Sequence, residues 1–247
     1  MSHRYLRRMR SHIGHMRPGR LLASGRTADV YALDDLNDPD DEAWVLRRYR
    51  DGYGDAPAEA AVMEYVRGHG YAVPEVRSTA SHSDLVMERL SGPTMLEAVA
   101  AGQLGAGEAG TVLAELLTRL HTIPARLSTD PAVRVLHLDL HPENVIVTPA
   151  GPVVIDWANT QEGPPALDWC MSAVILAQVA ADDDDPRAPL AHEVLTALLA
   201  DPSHLTETAL AEARQRRAAN PTMSPREVEL LGEAEDLIRT LLVRELG

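Results

Sequence analysis

Asp139, Asn144 and Asp156, set at short intervals within the run HLDLHPENVIVTPAGPVVID, could together do chemistry on a phosphoryl group. The triplets at 145–147 and 153–155 are β-branched, and Thr148-Pro149-Ala150-Gly151 between them is turn chemistry, so a hairpin is expected. With its turn centred on residue 150, Asn144 and Asp156 would stand opposite each other at the open end, on one face of the ribbon. An amide oxygen and a carboxylate converging there suit Mg²⁺, which prefers hard oxygen donors and keeps water and phosphate ligands. Asp139 lies in a stretch that Pro142 keeps out of regular structure. A loop carboxylate beside a metal site can accept a hydroxyl proton and orient the oxygen for in-line attack. Singly, each of these residues reads as an ordinary polar loop position; the combination points to chemistry.

The elements that must position this segment can be read from pattern. Apolar runs at 20–24, 29–33 and 43–49, separated by Gly25-Arg26 and an acidic loop at 34–42, read as an antiparallel meander. A helix is expected from Pro57 to about Arg67, ended by Gly68 and Gly70, followed by strands at 73–76 and 83–90. Gly92-Pro93 is the natural boundary. Beyond it the texture is helical: 95–101, then 108–121, where Val112, Leu113, Leu116, Leu117 and Leu120 keep helical spacing and Pro124 ends the run. A nearly all-apolar helix is expected at 170–180, and tail helices near 190–199, 206–218 and 225–246. The last opens on Ser224-Pro225-Arg226-Glu227, a capping-box pattern. The expected class is α+β. Residues 1–91 form a lobe with a five-stranded antiparallel sheet and one helix, and residues 92–247 a larger, mainly helical lobe.

Composition narrows the partners. The chain of 247 residues has no Phe, so its core must come from Leu, Val, Ala and Met. A net charge of −14 argues against a nucleic-acid surface, which needs cationic neutralisation of phosphates. Residues 1–20 depart from this with six Arg and no acid, and read as a leading arm that packs on the first lobe. No membrane span and no apolar leader is legible, so a cytoplasmic location is expected. The single Cys170 sits in an apolar stretch and reads as a buried structural thiol. There is no lysine: all 23 formal cations are Arg.

Asp-Leu-x-x-x-Asn, followed by a hairpin and an Asp, resembles the catalytic loop and metal-binding Asp of kinases. More closely, the chain is similar to the aminoglycoside phosphotransferase family. The likeness is carried by His137, Asp139, His141, Pro142 and Asn144, by Val153-Val154-Ile155-Asp156-Trp157, and by Gly163-Pro164-Pro165-Ala166-Leu167-Asp168. The resemblance implies a two-lobed protein-kinase-like fold and ATP and Mg²⁺ as cofactors. It makes Asp139 the catalytic residue, Asn144 and Asp156 the metal ligands, and Asp168 a carboxylate that braces the catalytic loop. Leu138 stands where protein kinases carry Arg and where aminoglycoside kinases most often carry Gly. The short interval from Asp156 to Asp168, with no Ala-Pro-Glu, leaves little platform for a peptide. These departures favour a small-molecule hydroxyl as acceptor.

The nucleotide site should come from the first lobe. Ser24, Gly25 and Thr27 lie in a turn with one Gly where protein kinases have three, and could offer backbone or hydroxyl groups to phosphates. Val45-Leu46-Arg47 aligns with the kinase Ala-Ile-Lys, placing Val45 under adenine and Arg47 at the phosphates; the plainer alternative is a solvated Arg47 with Arg48 in that role. Glu59 shares a face of the next helix with Val62, Met63 and Val66; the resemblance makes it the partner of Arg47, and the plainer alternative is a carboxylate that complements the helix dipole. Met87, Glu88 and Leu90 resemble the hinge, with backbone groups of Glu88 and Leu90 on the adenine edge. The acidic run Asp182 to Asp185 invites a cationic acceptor such as an aminoglycoside, with an unknown metabolite hydroxyl and a plain solvated loop as competing readings. A nucleotide-binding pseudokinase, or a protein kinase, are the functional alternatives.

Overall fold

The computed structural model describes residues 18–33, 43–50, 54–77, 79 and 81–245. The arm before residue 18 and the acidic loop 34–42 lie outside the described residues. The chain divides into two compact units: Met1–Arg67 with Pro74–Leu90, and Gly68–Val73 with Ser91–Gly247.

The first unit is built on β1 (Pro18–Ser24), β2 (Ala28–Leu33), β3 (Trp44–Tyr49), β4 (Val76–Arg77) and β5 (Asp84–Glu88), in the order β1-β2-β3-β5-β4, all antiparallel. The register Tyr31↔Leu46↔Val86 puts these side chains on one face, where Leu33 and Trp44 complete an apolar cluster. Strand alternation then sends Val45, Arg47 and Tyr49 to the other face, which α1 (Ala56–Gly68) covers through Glu59. The strand expected at 73–76 is displaced: only Val76–Arg77 joins the sheet. Pro74 has no N–H to give to a ladder, so pairing begins after it.

In the second unit, the segment 68–73 is stitched down by two hydrogen bonds. Val154 N–H donates to Ala72 O at 3.0 Å, and the Tyr71 hydroxyl donates to Leu116 O at 3.0 Å. α2 (Met95–Ala100) starts on a capping box from Thr94 and Glu97. α3 (Ala106–Leu120) buries Leu113, Leu116, Leu117 and Leu120 as its spacing requires. α4 (Pro165–Ala180) is buried along most of its length and is surrounded by α3's neighbour α5 (Ala188–Leu198), α6 (Glu207–Ala218) and α8 (Leu231–Glu245). It begins five residues before the expected start at 170, because Pro165 supplies the fixed φ and missing N–H that suit a first turn. Cys170 is fully buried in it, and burial pushes its thiol up to about 11. The helix expected at 225–246 is broken into α7 (Pro225–Glu229) and α8, two residues before Gly232, a poor helix former. The capping box at Ser224 and Glu227 forms as read. Among the described residues no helix is long and apolar enough to cross a membrane.

α3 and α5 approach backbone to backbone at Gly110. A Cβ there would stand 2.3 Å from Val194 O and 2.7 Å from the Ala197 Cβ, so the helices must part to admit one. Gly110→Ala is expected to destabilise by about 1–3 kcal/mol despite the better helix propensity of Ala, lowering the thermal midpoint by several degrees. Calorimetry of the two proteins checks this; an unchanged or raised midpoint would contradict the close packing.

Candidate active site

The second unit gathers the catalytic candidates around a short loop. β6 (Arg134–Leu136) pairs with β9 (Gln161–Gly163), the chain then passes through residues 137–141 and a 3-10 turn at Pro142–Asn144, and β7 (Val145–Thr148) and β8 (Gly151–Val154) form the expected hairpin. Its register, Val145↔Val154 through Thr148↔Gly151, centres the turn between residues 149 and 150. Asn144 therefore faces Ile155, whose N–H donates to Asn144 O at 3.0 Å. Asp156 is one residue past its expected place opposite Asn144. It reaches the site through a left-handed backbone turn, with φ 64°, rather than by strand parity.

The loop is fixed from beneath by Asp168 in the first turn of α4. The buried carboxylate accepts the N–H of His137 on Oδ2 at 2.8 Å and of Leu138 on Oδ1 at 2.7 Å, and His121 Nε2 lies 3.0 Å from Oδ2. A second tie runs through His137, which is fully buried. Its Nδ1 accepts the Asp139 N–H at 3.2 Å, so Nε2 carries the ring proton and donates to Ile155 O at 3.1 Å. One ring thus links the catalytic loop to the strand end just before Asp156. Trp157 packs edge-on against that ring at 4.8 Å and against Tyr71 at 5.7 Å. Leu138 has φ 63°, the left-handed region that glycine favours. Here a buried leucine adopts that conformation and Asp168 holds its amide.

Asp139 is brought together with Asn144. The Asn144 Nδ2 donates to Asp139 O at 2.8 Å and lies 3.4 Å from Oδ2, which Asn159 Nδ2 also approaches at 3.3 Å. Burial raises the Asp139 carboxyl above its ordinary range; the charge of Asp156 adds to this, while the charge of Arg217 and the Asn159 hydrogen bond oppose it. The His141 ring, 3.2 Å from Asn144 Nδ2, is pushed down to about 4 chiefly by burial, so it is neutral at neutral pH. Asp156 acts electrostatically on both Asp139 and His141.

In the first unit, Arg47 and Glu59 form a buried ion pair, Nη1 to Oε1 at 2.5 Å. The Tyr49 hydroxyl donates to the other Glu59 oxygen, and its ring lies under the Arg47 guanidinium at 4.9 Å. Arg48 points to the opposite side, where it grips Asp84 with two bonds of 2.8 Å. Val45 pairs in register with Met87 on the Arg47 face. The turn and the hinge depart from expectation. Ser24 Oγ donates to Asp29 Oδ1 at 2.6 Å and Gly25 N–H to Ala28 O at 2.9 Å, while the Arg50 guanidinium binds Ser24 Oγ, Gly25 O, Arg26 O and Asp29. The donors expected to face phosphates from Ser24 and Gly25 are engaged inside the turn; Thr27 O accepts from Arg50 N–H. Glu88 N–H likewise donates to Glu75 O, so it is not a donor for an adenine edge, and Leu90 follows the strand half-buried.

Sequence reading missed Asn159, His121, Tyr49 and Arg50. Asn159, three residues past Asp156, was accessible by spacing alone; the others are joined to their partners only by tertiary folding. The run Asp182 to Asp185 is partly neutralised, Asp185 by Arg187 at 2.7 Å and Asp182 by Arg226 at 3.4 Å.

With this geometry in view, a family model described as the phosphotransferase enzyme family matches residues 18–132 and 123–211. The chain belongs to the phosphotransferase enzyme family. Its fold is protein-kinase-like. Among solved structures, a thermostable mutant of the aminoglycoside phosphotransferase APH(4)-Ia is similar at a TM-score of 0.59 and 12% identity, covering 97% of this chain and 98% of that one. The gentamicin complex of APH(2")-IIa gives 0.54 and 15%, covering 100% and 95%. A choline/ethanolamine kinase family protein from Mesorhizobium loti gives 0.50 and 16%, covering 94% and 88%. No curated protein sequence matches.

In this phosphotransferase the Arg47–Glu59 pair is buried, so removing one partner strands a charge. Arg47→Ala is expected to lower stability by about 3–5 kcal/mol, and Arg47→Lys, which retains a cation, by less. Denaturant unfolding of the three proteins measures this, and equal stability of Arg47→Ala and the parent would contradict it.

Proposed function

We propose that this enzyme transfers the γ-phosphoryl group of ATP, with Mg²⁺, to a hydroxyl of a small molecule. The reading is supported above all by the Asp139 carboxylate, held by Asn144 and Asn159 on a loop that Asp168 and His137 fix to the start of α4 and to the end of the hairpin. In this account residues 1–91 hold the nucleotide, through Val45, Arg47 and the backbone near Met87 and Leu90, and residues 92–247 carry out the transfer.

The residues present fit Mg²⁺. Among the described residues no three His, Cys, Asp or Glu side chains gather into a metal cage. Asn144 turns its NH₂ toward the Asp139 carbonyl, which leaves its oxygen as the ligand end, and Asp156 adds one carboxylate. Such a sparse oxygen set suits an ion that keeps its own waters and phosphate ligands. Bound by Asn144 and Asp156, Mg²⁺ would neutralise charge on the transferring phosphate oxygens.

The chain's own work is positioning and proton transfer. Asp139 accepts the acceptor's hydroxyl proton as that oxygen attacks, and its raised basicity suits the task. Asn159 and Asn144 keep the carboxylate in one orientation. Arg47, supported by Glu59, holds a phosphate with a permanent charge where kinases use lysine.

Asp139→Asn keeps the shape of the loop and removes the base. Phosphorylation of an acceptor, followed by mass spectrometry, should fall by about 10²–10⁴-fold with nucleotide affinity unchanged. Undiminished transfer by the variant would defeat the assignment, and ATP binding without Asp139-dependent turnover would favour a nucleotide-binding module.

A further inference from the structure

We propose that the acceptor is a small anion, a hydroxyl-bearing carboxylate or phosphate compound, and that Arg217 is its anchor. The inference rests on the reading of Asp139 as the base, and it lies entirely within the second unit. Asp139 opens onto a cavity of about 250 Å³ whose ionisable lining, among the described residues, is Asp139, Arg216 and Arg217, with Asn159 and Gln161 beside them. Among the described residues no carboxylate other than the base lines this cavity. Of the described lining, a polycationic amino-sugar would meet two guanidinium groups and one carboxylate.

The two arginines are held differently. Arg216 is anchored at the rim: Nε and Nη2 reach Glu212 at 2.9 Å, and Nη1 donates to Gln161 Oε1 at 2.8 Å. Arg217 rests its Nε on the Gln178 side-chain oxygen at 2.8 Å, and Gln178 is itself buried and donates to Glu227 O. This bond ties Arg217 on α6 to Gln178 on α4. The positive charge of Arg217 is felt at both Asp139 and His141, which sets it within electrostatic reach of the reacting hydroxyl. A guanidinium in that position can grip a carboxylate or phosphate while the acceptor's hydroxyl lies against Asp139. The acidic run Asp182 to Asp185, the sequence's argument for a cationic acceptor, does not line this cavity.

The test uses the full chain with ATP and Mg²⁺ against three sets of hydroxyl compounds: hydroxy acids, sugar phosphates, and a cationic set of amino-sugars and cholines. Phosphorylated mass is expected in one of the first two sets, which tells carboxylate from phosphate, and not in the cationic set. For the acceptor found, Arg217→Met should raise KM by about 10- to 100-fold and leave the KM for ATP within about twofold, with Arg217→Lys recovering part of the loss. Transfer confined to the cationic set, or an anionic acceptor indifferent to Arg217→Met, would overturn the proposal and leave the phosphotransferase reading standing. No product from any set, with basal ATP hydrolysis equal in the parent and Asp139→Asn, would overturn both.

Discussion

The second unit depends on one buried carboxylate. Asp168 holds two successive backbone amides, those of His137 and Leu138, and so forces the chain through a left-handed turn that a leucine would otherwise avoid. Without acceptors, those buried N–H groups would each cost about 1–3 kcal/mol. Because Asp168 belongs to the first turn of α4, the best-buried helix of the unit, the loop inherits the rigidity of the core. Asp139 is the next residue, and its direction follows from that turn.

His137 extends the same constraint to the other half of the site. Its ring accepts from the Asp139 amide and donates to the Ile155 carbonyl, so the base and the residue before Asp156 move as one. Trp157, packed on that ring, closes the arrangement with apolar contact. The first unit solves a comparable problem with Glu59, whose two oxygens receive Arg47 and Tyr49 and hold a guanidinium in a buried place. Both units fix a charged group by tying it to a helix, and in both the helix is anchored by apolar residues legible in the pattern.

Much of this was readable from the chain. The hairpin was announced by two β-branched triplets around a Pro-Ala-Gly turn, and the Arg47–Glu59 pair by the kinase resemblance laid over strand parity. The errors have local causes. Strand parity could not foresee the positive φ at Asp156, because nothing in a side-chain pattern reports a backbone turn in a non-glycine residue. Pro74 moved β4 along the chain, and Gly232 lies just past a break in the last helix. Ser24 and Gly25 were read by analogy with glycine-rich loops; Arg50, far away in sequence, engages their groups in a way only the fold reveals. The cavity beside Asp139 was invisible for the same reason, since Arg217 meets the catalytic loop only through packing of α6 on α4.

The central claim, that Asp168 orders the catalytic loop, is tested most directly by hydrogen exchange. Peptides spanning residues 134–141 should exchange about a hundredfold faster in Asp168→Ala than in the parent, while α3 keeps its protection. Unchanged protection of that loop in a folded Asp168→Ala protein would show that something other than this carboxylate holds Asp139 in place.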